Sequence, residues 1–477
     1  MNKSVNQSRI KTVSFENVMK KFFLTFGLVA AFISFTSCHI YNKYELPTEA
    51  SPIIEDYANA LKLNPDSTSL PYLGWKDIFT DPILQDYIDR ALTNNKDLDN
   101  ARLNVDIANA QLKGAKLSYF PSLAFNPNGG TASYGGSQMN WSYSFPLAVQ
   151  WELDVFAKIL NRKRGAQTNL EMMKDYQQAV QSQVVCGVAN VYYSLVMLHR
   201  QLELTKNTSE IWKEQVESME LMKQAGWTNE AAVVQSRANY FNIMGTIPVL
   251  ENSINQLQNT LSLLLNEYPA EWIVTDITDF SVPDALLEGI PVSYLAVRPD
   301  VRAMERALAT AYYSTNSART NFYPSLVISA TGGFTNLLGS IIRNPGEWFI
   351  QLAGSLAAPI FSRGQNIATY QAAVAQQKQA LNNFEYAVLT ASSDVSDALV
   401  NYNKSEEQYK YLELQVKELE KSVDYTNELF MYNQSTTYLE VLTARSSLLQ
   451  AQLSCIANWH ERAAALISLY QAVGGGR

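Results

Sequence analysis

Residue types that do chemistry are few in this chain, and they form no recognisable set. Its 477 residues contain three cysteines and three histidines, which lie far apart. Zinc sites and disulfide frameworks need such residues clustered or paired. His199 and His460 have no companion ligand at a useful spacing, and we expect Cys186 and Cys455 to be small core residues. Because no nucleophile–base pair or phosphate-binding loop is present either, the sequence predicts no enzyme, no metal site and no cofactor.

One cysteine has a spacing that predicts covalent modification. Met19–Lys21 precedes an apolar stretch over 22–35, and Thr36–Cys38 follows it. A basic start, a short apolar stretch and small residues before a cut are typical of a secretory signal. A cysteine directly after two small residues is typical of a bacterial lipoprotein, so we expect cleavage after residue 37 and lipid on Cys38. The alternative is a plain signal peptide with an incidental cysteine. We expect Met19 to be the true start and 1–18 to have no function.

The composition excludes several classes of protein. Charged residues make up 17% of the chain and aromatic residues 11%, with 26 tyrosines, whereas a soluble coiled coil is rich in Glu, Lys and Arg. The net charge is −8, and it becomes more negative when 1–37 are removed, because that segment has five basic residues and one acidic residue. We therefore expect no nucleic-acid partner. No run of about 20 apolar residues follows residue 40, so we predict no transmembrane helix in the mature chain.

The C-terminal part of the chain predicts two very long helices. Between Gly364 and Gly474 the sequence has neither proline nor glycine, so nothing there forces a break. The one plausible interruption is 432–436, where Asn tolerates a left-handed conformation and Ser or Thr can cap the next helix. We predict helices over 366–432 and 437–473, with apolar residues at near-heptad spacing. By itself this hairpin would also fit an ordinary long coiled coil.

Four segments change the apolar period from that of a helix to that of a strand. In 140–154 apolar and aromatic residues alternate with small and polar ones, at Trp141, Tyr143, Phe145, Leu147, Val149 and Trp151. The same alternation marks 323–336 and 347–361, and a weaker, glycine-rich form occupies 119–134. Alternation with terminal aromatic residues is typical of outer-membrane barrel strands. A half-buried sheet of a soluble domain is the alternative interpretation.

Four strands are too few to close a barrel by themselves. Open sheet edges are not tolerated in hydrocarbon, so a barrel built from these strands must be shared between copies of the chain. Two copies give eight strands, and side chains fill the interior of a barrel of that size. Three copies give twelve strands, which leave a channel. The small, polar side chains on the second face of each strand favour three copies.

The organisation of the chain repeats at an offset near 205 residues. Tyr119–Leu123 recurs as Phe322–Leu326, and Gln235–Arg237 corresponds to Thr443–Arg445. Each repeat reads as helix, two strands, a long helix, a tip and a second helix. In the first repeat the long hairpin occupies about 157–224 and 229–266, with no proline before Pro248.

These segments predict four consecutive regions. They are a signal peptide over 1–37, a lipidated linker over 38–74, a first repeat over 75–280 with its tip at 225–229, and a second repeat over 281–477 with its tip at 432–436.

The chain resembles the TolC-like outer-membrane efflux proteins, within the lipoprotein branch that includes OprM and NodT. The motifs that carry the resemblance span about 75–470, apart from the lipidated cysteine. They are Cys38, Trp75–Leu84, Ala91–Leu98, Trp151–Phe156, Ile290–Val301, Ala318–Leu326, Pro359–Phe361 and Tyr438–Leu442. From the residues alone, Arg298–Asp300 within this set is simply a helix start, with Pro first and an acid in the first turn.

The resemblance implies a mainly α fold with transmembrane β-strands, assembled as a homotrimer. A twelve-stranded barrel, four strands from each subunit, sits in outer-membrane lipid and continues into a periplasmic α-helical barrel. The implied partners are a periplasmic adaptor (membrane fusion) protein and an inner-membrane pump, expected to be of the RND (resistance–nodulation–division) type. The implied function is a passive exit duct for small toxic compounds or drugs.

The resemblance also implies working residues at the hairpin tips. Acidic residues after the second tip ring the aperture in this family, and the matching position here is Glu440; Thr443 stands where a second acid is frequent. The tips themselves are the candidates for adaptor contact: Gly226, Trp227, Thr228, Asn433, Gln434 and Ser435. The alternative interpretation of Glu440 is a solvated acid on a helix face with no role at the aperture. Two other functions stay open: an exit duct for type I polypeptide secretion, and a coiled-coil envelope lipoprotein that forms no channel.

Overall fold

A computed structural model describes residues 39–62, 74–132, 140–276, 297–338, 341–432 and 437–475. The predicted signal peptide, Cys38, the tip residues Asn433, Gln434 and Ser435, and most of the Ile290–Val301 motif lie outside these residues. The chain forms two compact units, and each takes segments from both predicted repeats. Of the described residues, the first contains those within 39–45, 111–167 and 309–378, and the second contains those within 46–110, 168–308 and 379–475. The duplication in the sequence is therefore not a division into two spatial domains.

Helices account for most of the described chain. Short 3-10 turns occupy His39–Tyr41 and Thr48–Ala50. The α-helices in chain order are α1 (Pro52–Lys62), α2 (Trp75–Ile78), α3 (Pro82–Asn94), α4 (Lys96–Leu117), α5 (Lys158–Gln224), α6 (Glu230–Leu265), α7 (Pro299–Thr320), α8 (Gln365–Tyr432) and α9 (Tyr438–Ala472). The four long helices α5, α6, α8 and α9 agree with the predicted bounds to within one or two residues. Helix α6 continues through Pro248. Among the described helices, none combines the length and the hydropathy that spanning a bilayer requires.

The helix starts have identifiable caps. Asp81 caps α3, and its Oδ1 accepts hydrogen bonds from the N–H groups of Ile83 (2.8 Å) and Leu84 (3.4 Å). Helix α4 is capped by Asn95, whose side-chain oxygen accepts from the backbone of Asp97 at 2.9 Å and of Leu98 at 3.1 Å. A capping side chain must precede the first turn, and Asp97 already lies within it.

The segment 38–74, interpreted as a linker, contains helix α1. Its buried residues are Ile54, Tyr57 and Ala60, at helical spacing, and the Tyr57 ring packs edge-on against Phe384 with centroids 5.1 Å apart. The Tyr57 hydroxyl donates to Glu305 at 3.3 Å. This part of the segment is therefore packed structure within the second unit.

All the described strands form one antiparallel sheet in the first unit. They are β1 (Ser122–Phe125), β2 (Asn128–Ala132), β3 (Asn140–Leu153), β4 (Ser325–Leu338) and β5 (Ile341–Ala357). The order is β1-β3-β4-β5, and β2 pairs with β3 beyond β1. The single strand predicted over 119–134 is thus two shorter strands on the same partner. Strand β5 begins at Ile341, six residues before its predicted start, and β4 and β5 both end away from their predicted limits.

The second unit has a core of aliphatic and aromatic side chains from α2, α3, α5, α6 and α9. Phe79 and Tyr470 are fully buried and meet edge to face at 5.6 Å, and Tyr87 meets Trp272 at 5.4 Å. Burying one such side chain contributes about 2 kcal/mol. The core therefore fixes the short N-terminal helices α2 and α3 against the two long hairpins of this unit.

Candidate functional site

One face of the sheet is apolar across β1, β3, β4 and β5. Leu123 of β1 lies opposite Val149 of β3, which lies opposite Ala330 of β4 and then Leu352 of β5. Directly opposed residues share a face, so the apolar positions predicted strand by strand fall on one surface. Most of the large side chains of that surface are solvent-exposed, with Ile350 83% exposed, whereas Tyr143 and Phe334 are half-buried. A sheet face of this size and polarity is suited to lipid contact.

The other face of the sheet carries mainly small and polar side chains, with Val327 and Phe349 as apolar exceptions. Gln150, Ser329 and Ala353 lie opposite one another across β3, β4 and β5. The neighbouring positions on the same face are Ser142, Ser144, Ala148, Thr331, Thr335, Gln351 and Ser355. The register thus separates the two kinds of side chain, as the period-2 alternation predicts, and the polar face is suited to contact with water.

A β-bulge at Asn336 extends the pairing of β3 with β4. The register between β4 and β5 shifts between Thr335 and Leu337, and the buried Asn336 side chain bonds to β3 beyond the last β3–β4 pair, Ser144 with Thr335. Its Oδ1 accepts from the backbone N–H of Tyr143 at 2.6 Å, and its Nδ2 donates to the carbonyl of Trp141 at 2.8 Å. The amide therefore holds the aromatic end of β3 against β4.

The first hairpin tip is a Gly-terminated helix end. Gly226 has φ +78°, its N–H donates to Lys223 O at 3.0 Å, and the N–H of Trp227 donates to Met222 O at 2.9 Å. These bonds form a Schellman motif, in which glycine takes the left-handed position without a Cβ penalty. The turn leaves the Trp227 ring 76% exposed. Asn229 then caps α6 by accepting from Ala232 N at 3.1 Å.

An ion pair crosses the first tip, from Lys223 at the end of α5 to Glu230 at the start of α6. The hydrogen bond from Lys223 lowers the pKa of the Glu230 carboxyl. Both side chains are exposed, so the pair contributes little to stability. Predicted tip residues Gly226, Trp227 and Thr228 lie together on this turn, where Gly226 and Trp227 are exposed and Thr228 is half-buried.

The second tip is described only at its flanks. Helix α8 ends at Tyr432 and α9 begins at Tyr438, with Thr437 between the undescribed 433–436 and the helix. Tyr432 is 87% exposed, whereas Tyr438 is buried and its hydroxyl hydrogen-bonds to Ser236 of the first hairpin. The contact between Tyr438 and Ser236 is one that the sequence analysis missed, although Tyr438 stands inside a motif it used.

The two hairpins pack together near their tips through a small apolar cluster. Its buried members come from α5, α6 and α9: Trp212, Met219, Val233, Ile243, Tyr438 and Leu442. Next to the cluster, Trp227, Met431 and Tyr432 help to line a cleft of about 720 Å³. The first tip and the described flanks of the second thus present an aromatic, partly apolar surface above a packed cluster.

Glu440 and Thr443 lie on the exposed side of α9. Glu440 is in the first turn, where its N–H donates to Thr437 O at 3.0 Å and its carboxylate is exposed. An acid in a first turn is favoured by the helix dipole. Thr443 donates to Leu439 O at 2.8 Å, an ordinary bond within the helix. Within one subunit, Glu440 is solvent-facing and ion-pairs with none of the described residues.

Arg298 has a larger role than the helix start that the sequence suggests. It is buried and lies immediately before α7, where its guanidinium donates to Asp300 at 2.7 Å and Asp394 at 2.9 Å. It also donates to the carbonyls of Ala391 and Ala472, at 3.3 and 3.2 Å. Burial acts to raise the pKa of Asp300, but the bonds from Arg298 outweigh it and hold that pKa below its usual range. Arg298 therefore connects α7, α8 and the end of α9.

The scattered cysteines and histidines do not assemble in the described part of the chain, which contains no group of metal-ligating residues. Cys186 is buried, and burial raises its pKa to about 12, so it is an inert thiol. His460 hydrogen-bonds to Ser194 Oγ at 2.9 Å, and burial lowers its pKa. Both residues are packing elements of the hairpins.

Comparison with known proteins agrees with this architecture. The family model described as "Outer membrane efflux protein" matches residues 87–267 and 290–475. The probable outer membrane lipoprotein SilC of Salmonella typhimurium is 27% identical over 421 residues, covering 87% of this chain and 90% of SilC. The cation efflux system protein CusC of Escherichia coli K12 is 27% identical over 454 residues, covering 93% of this chain and 97% of CusC. A crystal structure of CusC has a TM-score of 0.80 at 25% identity, covering 91% of this chain and 99% of that one.

These similarities distinguish between the classes of protein that remained possible from the sequence. The matched family consists of outer-membrane efflux proteins, and the fold similarity extends over nearly the whole of the solved CusC chain. An envelope lipoprotein that only forms a coiled coil does not fit that match or the described sheet. The chain belongs to the outer membrane efflux protein family and is the outer-membrane channel component of an efflux system.

Proposed function

We propose that three copies of this chain form a passive exit duct that connects a periplasmic adaptor and an inner-membrane pump to the exterior. The observation that carries the proposal is the sheet, with one apolar exposed face, one polar face and an edge strand at each end of its order. Edge strands in hydrocarbon must be paired. Pairing β5 of one copy with the β1 and β2 edge of the next satisfies both edges.

Three copies supply twelve strands, since β1 and β2 together count as one interrupted strand. A closed barrel of that size leaves an aqueous lumen, towards which the small and polar face is directed. The apolar face, with Trp348, Ile350 and Leu352 among its exposed members, then meets lipid. In this assembly α5, α6, α8 and α9 of the three copies form the periplasmic α-barrel, and the protein carries out no catalysis.

The cargo is a class of small toxic compounds, and the pump selects among them. The relative CusC is named a cation efflux protein, which makes metal cations one candidate cargo. Export of polypeptides through the same kind of duct is the second candidate function. The two differ in the energy source of the inner-membrane partner, which for efflux is a proton-driven pump of the RND type.

Isolation of the protein from native membranes in mild detergent tests the proposal. We expect a three-fold particle that carries a periplasmic adaptor and a proton-driven inner-membrane pump. Substitution of Trp227 by Ala removes the exposed ring of the first tip and is expected to reduce the amount of adaptor recovered. An ATP-driven transporter in place of the pump would favour polypeptide secretion, and a monomeric particle without an adaptor would contradict the proposal.

The lipid anchor gives a separate prediction. Thr36–Cys38 has the spacing of a lipoprotein signal, and the relative SilC is named an outer membrane lipoprotein. We expect the wild-type protein to incorporate radiolabelled palmitate and the Cys38→Ala variant to incorporate none. A Cys186→Ala variant controls for nonspecific acylation of a thiol. Labelling of Cys38→Ala at the wild-type level would remove the anchor from the proposal.

The aperture gives another prediction. In a trimer, Glu440 of the three copies would place three carboxylates around the axis at the second tips, a ring that attracts cations. Two opposite unit charges roughly 4 Å apart in water attract each other by about 1 kcal/mol. Glu440→Gln should therefore weaken divalent-ion block at least about fivefold and reduce the preference of the channel for cations. Single-channel recording in planar bilayers measures both effects.

Glu428→Gln is a suitable control for the aperture, because it removes a carboxylate from α8, before the second tip. It should leave divalent block nearly unchanged. Equal block in Glu440→Gln and wild type would show that Glu440 is only a solvated acid.

A further inference from the structure

The two hairpins differ at one repeat-related pair of residues. In the first hairpin Arg237 of α6 forms an ion pair with Glu220 of α5, at 2.6 Å. In the second hairpin Arg445 of α9 corresponds to Arg237, and Asn427 of α8 stands where Glu220 does. Arg445 donates to the Asn427 side-chain oxygen at 3.4 Å, a long contact with a neutral acceptor. The second hairpin keeps the arginine but has lost its carboxylate.

No described carboxylate pairs with Arg445 as Glu220 pairs with Arg237. Arg445 takes part in none of the ion pairs of the described residues, although it is half-buried and its Nε is shielded from solvent without a hydrogen-bond partner. Burial lowers its pKa, and Tyr438 and Glu214 act in the opposite direction through space. A guanidinium with five donors and one long neutral contact is therefore poorly satisfied. Charged groups shielded from water in proteins are normally paired, so the shielded part of this guanidinium can accept an external anion.

A cavity of about 220 Å³ adjoins this arginine. Its wall is apolar on the side of Ile211, Trp212 and Leu448, and it carries the amide of Asn207 and the hydroxyl of Thr208. Arg445 contributes the only formal charge among the lining residues that the structure describes. With Gln452, the lining therefore has a cationic end, three polar side chains and an apolar body.

We propose that this cavity between α5, α8 and α9 binds small organic carboxylates with an apolar body, held by Arg445. The guanidinium pairs with the carboxylate in the fork geometry that carboxylates favour. The apolar body occupies the space beside Trp212 and Leu448. The volume suits a single substituted aromatic ring, and it is below the size of ordinary drug sites.

Binding of 4-bromobenzoate to the purified full-length protein in micelles tests the proposal, with the neutral 4-bromobenzamide as the matched probe. We expect saturable calorimetric binding of one benzoate per chain, and at least about tenfold weaker binding of the amide, because the charge-assisted bonds are lost. Bromine anomalous scattering from soaked crystals should place the ligand beside Arg445. Equal binding of the two probes, or no binding of the benzoate, would overturn the proposal.

Two variants make the test specific. Asn427→Glu gives the second hairpin the carboxylate that the first has, so it should satisfy Arg445 internally and abolish benzoate binding. Arg237→Met removes the repeat-related arginine, which already has Glu220, and should leave benzoate binding unchanged. Wild-type affinity in Asn427→Glu, or loss of binding in Arg237→Met, would place the ligand elsewhere and refute the proposal.

Discussion

Replacement of Gly333 by Ala is expected to prevent the sheet from assembling. Gly333 lies opposite Pro146 in the β3–β4 register. A Cβ built on Gly333 overlaps the carbonyl oxygen of Phe145 and lies 3.0 Å from both the Phe145 carbonyl carbon and Pro146 Cα. All three are backbone atoms, so no side chain can rotate away, and the two strands must separate. Overpacking of this kind costs about 3 kcal/mol.

The fraction of folded protein in isolated outer membranes, measured by semi-native electrophoresis and protease resistance, checks this prediction. Gly354→Ala is the matched control, because it makes the same change in β5 of the same sheet and its added Cβ meets nothing within 4 Å. We expect Gly354→Ala to fold like wild type and Gly333→Ala to be degraded. Similar folding of the two variants would contradict the register of β3 with β4.

The faces of the sheet were predictable from the sequence, but its ends were not. Alternation over Trp141–Trp151 depends only on the period of a strand, and the structure places those residues on one face as expected. Where a strand is interrupted depends on its partner. Pro127 has no N–H to donate, and the neighbouring Asn126 N–H still reaches Pro146 O at 3.3 Å, so β1 and β2 stay on the same edge of β3.

Helix α1 was not predicted, although the sequence contains a pattern that indicates it. Ile54, Tyr57 and Ala60 follow one another at helical spacing, and all three are buried. The surrounding prolines and asparagines suggested a linker because a short helix has little intrinsic stability. What fixes α1 is tertiary packing of Tyr57 on Phe384, more than 300 residues away, and no local pattern reports that contact.

In the candidate site, too, some features could be predicted from local sequence and others could not. Gly226 could be assigned to a tip because a helix end followed by glycine is a local pattern, and in the structure it has a left-handed conformation. The unpaired state of Arg445 needed both the repeat and the structure, because the pairing of Arg237 with Glu220 connects positions across a hairpin. Any ring of Glu440 requires several copies of the chain and stays a prediction.

Substitution of Arg298 by Met is expected to destabilise the protein by about 3 kcal/mol at neutral pH, the scale for breaking a buried ion pair. Met keeps much of the side-chain volume but donates no hydrogen bond. The carbonyls of Ala391 and Ala472 lose a donor, and Asp300 and Asp394 lose their cation. Urea unfolding in micelles, followed by helical circular dichroism, measures the change. The stability of Arg298→Lys should lie between those of the wild type and Arg298→Met, because one ammonium cannot reach all four acceptors.

The pH dependence of that difference separates lost charge pairing from lost packing. The pKa of Asp300 is lowered in the folded protein, so its contribution to stability is present above the unfolded pKa and is lost as the pH falls through the folded pKa. The gap between wild type and Arg298→Met should therefore narrow below about pH 4, where carboxylates in unfolded chains become protonated. Arg200→Met, which removes an exposed 2.7 Å pair with Glu203, should change stability by less than about 1 kcal/mol at any pH. A gap that stays constant down to pH 3 would mean that Arg298 acts through packing and its carbonyl bonds, with its two carboxylates contributing nothing.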